Sequence, residues 1–299
     1  MYKILCLGNA TWDRIYSVDE IPSQATKYFS SNYLEVGGGV AATAAVAASK
    51  LGASVEFIGR IGQDIVGELV EKDLNDWNVH TSHLKTFPDH TTSNAVVHVD
   101  IHGERQITVH RDPNLPRDAN WITAQLLENV DCVLCDCTWN EGAEKLLTLA
   151  RELNIPSVID ADLGGESLAK LIALTDHVAF SYPALCSLSG QSDLEESLRI
   201  AQTYTNGIVY VTQGDKGCYW LDQGILHHIP AYKVKAIDTT GAGDVFHGAL
   251  SFAIAQGNKG AEAIRFANAV AALKCTVIGG RAGIPTIEQT IKFINSQNI

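Results

Sequence analysis

The sequence predicts an α/β fold in which helices flank a mostly parallel central sheet and a small β-sheet lid is added to it. Three observations favour this fold. Short apolar runs alternate with amphipathic segments along almost all of the 299 residues, as is typical of βαβ units. Two strand-like stretches interrupt the alternation. Glycine-rich turns lie near the ends of several runs, where open α/β sheets bind ligands.

The predicted elements follow one another as strand and helix. Short apolar runs predict strands at 4–7, 55–58, 132–135, 157–159, 177–180 and 208–212, and a further strand-like segment at 231–237. Helical periodicity predicts helices at 40–51, 65–77, 141–153, 194–204, 241–256, 261–274 and 287–296. The sequence contains no long linker and no internal repeat, so we expect residues 1–299 to form a single domain with right-handed crossovers.

Residues 14–36 and 92–110 break the alternation, and we predict that they form the lid as a small antiparallel sheet. The second segment has a turn at His102-Gly103 between two strand-like runs, which predicts a hairpin. Over the carboxyl ends of the main strands, this lid would cover a ligand and exclude water from it. A role in packing or dimerisation alone is the alternative, and the two roles are compatible.

The composition argues against a membrane-spanning protein and against a broad nucleic-acid-binding surface. No apolar run reaches 18 residues, so we expect no membrane span. The formal net charge of −12 argues against a broad nucleic-acid surface. The chain has seven cysteines and no secretion signal, which predicts reduced thiols and a cytoplasmic protein. The cluster of Cys132, Cys135 and Cys137 lies in a predicted buried strand, so a structural role is favoured over a metal site.

The most informative stretch is Asp238-Thr239-Thr240-Gly241-Ala242-Gly243-Asp244, which opens a predicted helix. Unpaired N–H groups and the helix dipole make such an N-terminus a site for anions. Its two glycines allow the backbone to approach a ligand closely. Asp244 would not help to hold a phosphate, but it could take a proton from a group that attacks one. The alternative is an ordinary capped helix, in which Asp244 is only a favourable first-turn charge.

Three further glycine clusters are candidate ligand loops. Gly37-Gly38-Gly39 followed by alanines matches a dinucleotide fingerprint, with Glu56 near the place of the ribose acid, and suggests an NAD(P)-dependent oxidoreductase as a competing class. Thr212-Gln213-Gly214-Asp215-Lys216-Gly217 offers a hydroxyl and a flexible backbone to a phosphate, or forms a hairpin turn. Gly279-Gly280-Arg281 either ends a helix or lines a nucleotide-binding site. The sequence contains no Walker A motif, so a P-loop mechanism is not expected.

Together these motifs, with Gly8-Asn9-Ala10-Thr11-Trp12-Asp13 after the first strand and Phe246 and Gly248 after Asp244, resemble the ribokinase-like (PfkB) carbohydrate kinases over essentially the whole chain. The resemblance implies a ribokinase-like fold with a Rossmann-like core. It also implies an enzyme that transfers the γ-phosphoryl group of ATP, with Mg²⁺, to a hydroxymethyl group of a small sugar.

The resemblance assigns roles to individual residues. Asp244 matches the general base, and Gly241, Ala242 and Gly243 match the anion hole beside it. The sugar side comprises Asp13, Lys27, Gly37, Gly38, Gly39, Thr43, Arg111, Thr138 and Asp244. The nucleotide side comprises Thr212, Gly214, Gly217, Gly241, Gly243, Asn268 and Gly280. Asp238 and Thr240 match a monovalent-cation loop, which suggests activation by K⁺. The Mg²⁺ ligands stay unknown, because the family's Asn-x-x-Glu is Ser181-Tyr182-Pro183-Ala184 here.

In detail the sequence is most similar to the sulfofructose kinase branch. Lys27 matches a lysine that contacts the sulfonate there, whereas Val109 and Thr138 replace an asparagine and an arginine. Neighbouring His110 and Arg111 would have to compensate. We therefore expect the substrate to be a ketose such as fructose, or a sulfo- or phospho-ketose. A nucleoside kinase of the same fold is the alternative within the family. We also expect a homodimer formed through the lid, with no nucleic-acid or membrane partner.

Overall fold

The structure, a computed structural model, describes residues 1–162 and 167–297. Its strands, in chain order, are β1 (Lys3–Leu7), β2 (Thr11–Ser17), β3 (Asn32–Gly38), β4 (Ser54–Gly62), β5 (Val79–Phe87), β6 (Asn94–Val99), β7 (Arg105–His110), β8 (Cys132–Asp136), β9 (Ser157–Ala161), β10 (His177–Ser181), β11 (Ile208–Thr212), β12 (Cys218–Asp222) and β13 (Ile225–Ile229). Its helices are α1 (Val40–Lys50), α2 (Ile65–Asp76), α3 (Asn140–Glu152), α4 (Leu168–Leu174), α5 (Tyr182–Ser189), α6 (Leu194–Gln202), α7 (Ala242–Ala255), α8 (Gly260–Lys274) and α9 (Ile287–Ser296).

Nine strands of the described ranges form the central sheet, in the order β13-β12-β11-β10-β9-β8-β1-β4-β5. Neighbouring strands from β11 to β5 in that order run parallel, and β12 and β13 add an antiparallel edge. The mostly parallel α/β sheet predicted from the sequence is therefore confirmed. Because parallel strands end at the same edge, the loops after β1, β8, β9, β10 and β11 all emerge there.

The two faces of the sheet are covered by different helices. Along β1, Ile4 and Cys6 join the hydrophobic cluster that contains α1, α7 and α8, whereas Leu5 and Leu7 join the cluster that contains α3 to α6. Side chains of a strand alternate between faces, so a strand buried on both sides is apolar at every position. This explains why β1, β8 and β10 could be predicted as short continuous apolar runs.

Helices α1 and α7 approach each other closely beneath the site. A Cβ atom at Gly248 would lie 2.2 Å from the carbonyl oxygen of Ala44, so only glycine fits there. The alanine-rich sequence of α1 presents small side chains to α7, and Ala44, Ala45 and Ala48 are at most 1% exposed. This packing fixes the N-terminus of α7 relative to the turn that precedes α1.

The lid is a separate four-stranded sheet with the order β3-β2-β6-β7. Its hairpin is confirmed, since β6 pairs antiparallel with β7 and Gly103 turns between them at a φ of 83°. The prediction of an entirely antiparallel lid is wrong, because β2 and β6 run parallel. These two strands come from separate insertions, and a long stretch of the central sheet separates them in sequence.

Some local predictions were wrong or incomplete. Residues 231–237 form no strand; at their end, the backbone N–H groups of Ile237 and Asp238 donate to the carbonyl of Cys275, not to a neighbouring strand. The edge strand β5 was missed because its exposed positions carry polar side chains. The helices α4 and α5 were also missed, and each is a short element of eight residues or fewer. Within the described ranges, every helix is too short or too polar to cross a membrane.

Candidate active site

The turn before α7 is shaped by Gly241, whose φ of 72° lies in the left-handed region that favours glycine. The amide of Ala242 donates to the carbonyl of Thr239 at 3.2 Å. The amides of Gly241, Gly243 and Asp244 donate to no acceptor among the described residues. These three N–H groups lie at the positive end of the helix dipole, so the turn can bind an anion.

Asp244 lies in the first turn of α7, half-buried beside these amides. Burial, reinforced by the nearby carboxylates of Asp160 and Asp136, raises the pKa of Asp244 to about 8. His247 and Arg281 oppose the rise without cancelling it. A carboxylate with a raised pKa is a stronger base than an ordinary aspartate, which suits the abstraction of a proton from a hydroxyl group.

His247 lies one turn further along α7 and was missed by the sequence analysis. Its Nδ1 lies 2.6 Å from Oδ2 of Asp160 at the end of β9, and both side chains are buried. Although burial lowers its pKa, the carboxylate of Asp160 more than compensates, so the pKa of His247 is raised. The pair places a buried imidazole and a second carboxylate behind Asp244. A signal was present in the sequence, since His247 follows Asp244 at helical spacing.

A cavity of about 640 Å³ between the lid and the central sheet brings the two predicted sides together. From the sugar side it contains Asp13, Gly37, Gly38, Gly39, Thr43 and Arg111. From the phosphate side it contains Asp238, Thr240, Gly241, Asp244 and Gly280. The lid contributes a mainly aliphatic wall made of Ile15, Leu34, Val36, Ala95, Val97, Ile107 and Val109. A small polar ligand under this lid could therefore contact Asp244 and the turn at Gly241 at once, whereas Gly243 is exposed and does not line the cavity.

Asp13 and the glycine turn form one wall of this cavity. The hydroxyl of Thr11 donates to Asp13 Oδ1 at 2.9 Å, and burial raises the pKa of Asp13. A Cβ atom at Gly38 would lie 2.1 Å from Asp13 Oδ2, so the close approach requires glycine. Gly39 takes a φ of 93° immediately before α1. The turn thus exposes backbone groups and a carboxylate to a ligand rich in hydroxyls.

Arg281 holds the glycine turn in place from the opposite side. Its guanidinium donates to the carbonyl of Gly38 at 2.7 Å, contacts the Thr43 hydroxyl at 3.4 Å and pairs with Asp73 of α2. It is 4% exposed. From the sequence, Arg281 was predicted only to end a helix or to line a nucleotide site. The structure instead directs it to the sugar-side turn.

Asp136 at the end of β8 is a second residue that the sequence analysis missed. Its buried carboxylate accepts from the amides of Asn9 at 2.9 Å, Ala41 at 3.2 Å and Thr138 at 2.8 Å. It therefore joins the loop after β1 to the start of α1. The hydroxyl of Thr138 also donates to Asp136, so this predicted sugar contact is engaged within the protein.

A smaller cavity of about 260 Å³ adjoins the first and shares Asn9 and Arg111 with it. Thr138 lines this second cavity, together with Arg60 and Arg117. The guanidinium of Arg60 lies 4.2 Å from the ring centroid of Trp139 and donates to the carbonyl of Pro116 at 2.8 Å. Arg111 is exposed and makes no ion pair with a described residue. The smaller cavity thus contains three arginines and the carboxylates of Asp112 and Glu141, and Arg111 is the arginine that it shares with the main cavity.

Several predicted contacts lie outside the main cavity. Lys27 is exposed in the segment between β2 and β3 and does not line it. Thr212, Gly214 and Gly217 form the loop of the hairpin between β11 and β12, at the same edge of the sheet. Asn268 donates its amide to the carbonyls of Ile229 and Pro230, at 3.2 and 3.3 Å.

Asp238 and Thr240, the predicted monovalent-cation ligands, are bonded to each other. The backbone N–H and the hydroxyl of Thr240 donate to Asp238 Oδ1 at 2.8 and 2.6 Å. The ammonium group of Lys274, from α8, donates to the carbonyl of Asp238 at 2.9 Å. A cation of the protein itself therefore lies at this loop.

The fold does not support a dinucleotide-binding motif at Gly37-Gly38-Gly39. The strand before Gly37-Gly38-Gly39 is β3 of the lid and not a strand of the central sheet. The carboxylate of Glu56 pairs with Lys3 at 2.9 Å and with His83 at 3.0 Å, so it is not available to a ribose. Gly37-Gly38-Gly39 and Glu56 therefore do not form the dinucleotide-binding site of an NAD(P)-dependent oxidoreductase.

Comparison with known proteins identifies the family. A model of the pfkB family of carbohydrate kinases matches residues 1–287. The chain belongs to this family. The kinase is 29% identical over 297 residues to ribokinase from Haemophilus influenzae, covering 96% of this chain and 97% of that protein. It is 27% identical over 321 residues to aminoimidazole riboside kinase from Salmonella typhimurium, covering 100% and 97% of the two chains.

A solved structure from Agrobacterium tumefaciens, provisionally named a ribokinase, is similar to this kinase with a TM-score of 0.95 and 32% identity, over 99% of this chain and 98% of that one. The predicted ribokinase-like fold is confirmed. The chain is an ATP-dependent carbohydrate kinase. The particular likeness to sulfofructose kinases stays a prediction.

The raised pKa of Asp244 predicts how activity depends on pH. Below a pH of about 8, Asp244 carries a proton and cannot accept another. We therefore expect kcat/KM to fall about tenfold per pH unit below that pKa and to level off above it. Steady-state kinetics between about pH 6.5 and 9.5 would measure this. A kcat/KM that is flat throughout this range would contradict the assignment of Asp244 as a base of raised pKa.

Proposed function

We propose that this kinase phosphorylates a hydroxymethyl group of a small ketose and that Asp244 is the general base. The observation that carries the proposal is the position of Asp244. It lies beside the free amides of Gly241 and Gly243 and in the same cavity as Asp13. A base and an anion site at one helix N-terminus can bring an acceptor hydroxyl and a transferable phosphoryl group together.

In the proposed mechanism the sugar lies under the lid against Asp13 and the glycine turn at Gly38, held by hydrogen bonds from its hydroxyls. Its hydroxymethyl oxygen faces Asp244. The γ-phosphoryl group lies against the amides of Gly243 and Asp244. Asp244 accepts the hydroxyl proton as the oxygen bonds to phosphorus and the bond to the ADP oxygen breaks. The aliphatic wall of the lid limits the access of competing water.

Mg²⁺ would supply charge neutralisation on the phosphate oxygens during transfer. Its usual protein ligands are one or two carboxylates, with water and phosphate filling the other positions. The exposed carboxylate of Asp162 after β9, bonded to the Ser181 hydroxyl at 2.9 Å, fits this chemistry. Within the described ranges no group of three or more His, Cys, Asp and Glu could hold a metal ion, which is consistent with a metal held largely by the nucleotide.

The nucleotide itself is proposed to reach the loop between β11 and β12. Thr212 ends β11 at the carboxyl edge of the sheet, and Gly214 and Gly217 have φ values of 55° and 91°. Gly280 lines the cavity together with Asp244 and would contact the phosphate end of the nucleotide in the proposed arrangement. The side chain of Asn268 acts indirectly, by fixing the end of β13.

Arg111, at the junction of the two cavities, favours a ketose that carries an anionic group, such as a sulfo- or phospho-ketose, over fructose. Arg111 lines both cavities, and Arg60 has an aromatic face and a carbonyl as neighbours but no carboxylate within 4 Å among the described residues. A sulfonate or phosphate distal to the reacting hydroxymethyl would pair with Arg111. In this proposal Arg111 takes the place of the exposed Lys27.

A nucleoside acceptor is the second candidate, because one relative is an aminoimidazole riboside kinase. A base would need a ring to stack on, but among the described residues the lid lines the cavity with no phenylalanine, tyrosine or tryptophan, and His102 in the hairpin turn is its one aromatic ring. The rings of Tyr16 and Tyr33 pack against each other in a tilted arrangement, with centroids 5.0 Å apart, and neither lines the cavity. The described lining residues therefore favour a sugar.

We also propose that two copies pair through the lid. The outer strand β7 is exposed at every position, and it carries Ile107 and Val109 at 56% and 48% exposure. Phe29, in the segment between β2 and β3, is 85% exposed. Unpaired edge strands and exposed apolar side chains are both features that a second copy can cover.

Replacement of the base tests the mechanism. Asp244→Asn keeps the shape of the side chain but removes its capacity to accept a proton, so we expect kcat to fall by about 10²–10⁴-fold. The Kd for ATP, measured by calorimetry, should stay within about twofold of the wild type. Asp222→Asn, at the far end of β12, is the matched control and should keep full turnover. Near-normal kcat in Asp244→Asn would refute the base assignment.

Replacement of Arg111 tests the substrate class. We expect Arg111→Gln to raise KM for an anionic ketose by about 10–100-fold, because a charge-assisted hydrogen bond is lost. KM for fructose should change by less than about twofold. Coupled ATP-consumption assays over neutral, phosphorylated and sulfonated ketoses and nucleosides would measure this. Arg199→Gln on α6 is the matched control. Equal effects on neutral and anionic ketoses would exclude the proposed contact.

A further inference from the structure

Lys274 is an unusual residue because its whole side chain is buried. It lies in the last turn of α8 and is 0% exposed. Lysine is almost never fully buried unless it is paired, because its ammonium group loses hydration. Here Nζ donates to the backbone carbonyl of Asp238 at 2.9 Å and lies 3.7 Å from Asp238 Oδ2. The buried ammonium group is therefore held by the oxygens of this loop.

The oxygens of Asp238 are already engaged by donors of the protein. Oδ1 accepts from the amide and hydroxyl of Thr240 and, at 3.3 Å, from Arg105 of the lid. Oδ2 accepts from the amides of Gly279 and Gly280 at 3.0 and 3.4 Å. Burial alone would raise the pKa of Asp238, but these donors and Lys274 hold it well below its usual range. The carboxylate is thus ionised and fully satisfied.

The carbonyls around the loop are engaged as well. The carbonyl of Cys275 accepts from the amides of Ile237 and Asp238 at 2.7 and 3.1 Å, and that of Lys274 accepts from Val277 at 3.3 Å. A bound K⁺ ion needs a set of oxygens that replaces its hydration shell. Around Asp238, both of its carboxylate oxygens, its own carbonyl and the carbonyls of Lys274 and Cys275 already accept hydrogen bonds from donors of the protein. The residues present therefore do not fit the monovalent-cation site suggested by the sequence.

We propose that Lys274 is a built-in cation that takes the place of a monovalent metal ion, so that this kinase works without K⁺. Lys274 holds the backbone of Asp238, Asp238 fixes Thr240, and Thr240 leads directly into the left-handed turn at Gly241. The ammonium group thereby positions the free amides of Gly243 and Asp244 from behind. Lys274 touches no reacting atom, so it is a positioning residue. This inference rests on the proposed phosphoryl site at α7.

The wild-type enzyme gives the first test. With Mg²⁺ held constant, turnover in KCl, in NaCl and in tetramethylammonium chloride at equal ionic strength should agree within about twofold, because no monovalent metal ion is needed. The melting temperature should be equally insensitive to the choice of salt, and this readout requires no sugar substrate. Several-fold activation by KCl, or a melting temperature that rises with K⁺ but not with tetramethylammonium, would overturn the proposal.

A variant gives the second test. Lys274→Met keeps an unbranched side chain of similar length and removes the charge, so Asp238 loses its buried partner. We expect turnover in tetramethylammonium chloride to fall by at least about tenfold. Methylammonium or K⁺ should restore part of it and should raise the melting temperature of the variant. Lys259→Met, at the exposed start of α8, is the matched control and should show neither effect.

The results that would refute the role of Lys274 differ from those that would refute the proposed function. A Lys274→Met enzyme with wild-type turnover in tetramethylammonium chloride would overturn the inference. A wild type that phosphorylates no sugar would refute the proposed function, while the melting experiments would still decide the role of Lys274. A Lys274→Met chain that fails to fold would leave the decision to the wild-type salt comparison, which uses no variant.

Discussion

The rest of the site depends on the free amides at the N-terminus of α7 and on their capacity to bind an anion. They exist because the chain enters the helix through a left-handed turn at Gly241, which leaves the first N–H groups without acceptors among the described residues. An anion placed there gains hydrogen bonds and the favourable end of the helix dipole. Asp244 lies in the same helical turn, so the proposed base and the proposed phosphoryl-binding amides are held at a fixed separation.

The surrounding structure holds this turn from two directions. From beneath, Gly248 allows α7 to approach the backbone of α1 closely, and α1 begins immediately after the glycine turn of the sugar side. From behind, Lys274 fixes Asp238 at the start of the loop. Arg281 then links the sugar-side turn at Gly38 to the segment that follows α8. The two halves of the reaction site are therefore positioned by packing and by hydrogen bonds across one continuous body.

Much of this could be predicted from the sequence, because the signals are local. Strands buried on both faces, such as β8, are continuous apolar runs. The glycine-rich loops indicate where the backbone can approach a ligand closely. Asp244 was predicted as the candidate base from its place after Gly-Ala-Gly, and the structure places it in the cavity under the lid. Polar edge strands such as β5 and short helices such as α5 have weaker local signals, and residues 231–237 show a strand-like pattern without a strand partner. Local pattern could not distinguish an extended segment from a strand.

The contacts that complete the site join distant parts of the chain. Arg281 and Gly38 are 243 residues apart, and Asp136 reaches the loop at Asn9 across 127 residues. Lys274 is a typical last-turn lysine by sequence, and only the fold reveals that its ammonium group is buried. The same holds for His247, whose partner Asp160 lies on a different strand. Such residues require a three-dimensional structure, because no local pattern specifies which partner they meet.

The central claim is that Asp244 faces the acceptor hydroxyl while the free amides of α7 hold the phosphoryl group. A crystal structure with a ketose and a non-hydrolysable ATP analogue bound together would test it most directly. We expect a hydroxymethyl oxygen within about 3 Å of an Asp244 carboxylate oxygen, and a γ-phosphate within hydrogen-bond distance of the amides of Gly243 and Asp244. A hydroxymethyl group directed to Asp13, or a γ-phosphate that makes no contact with these amides, would contradict it.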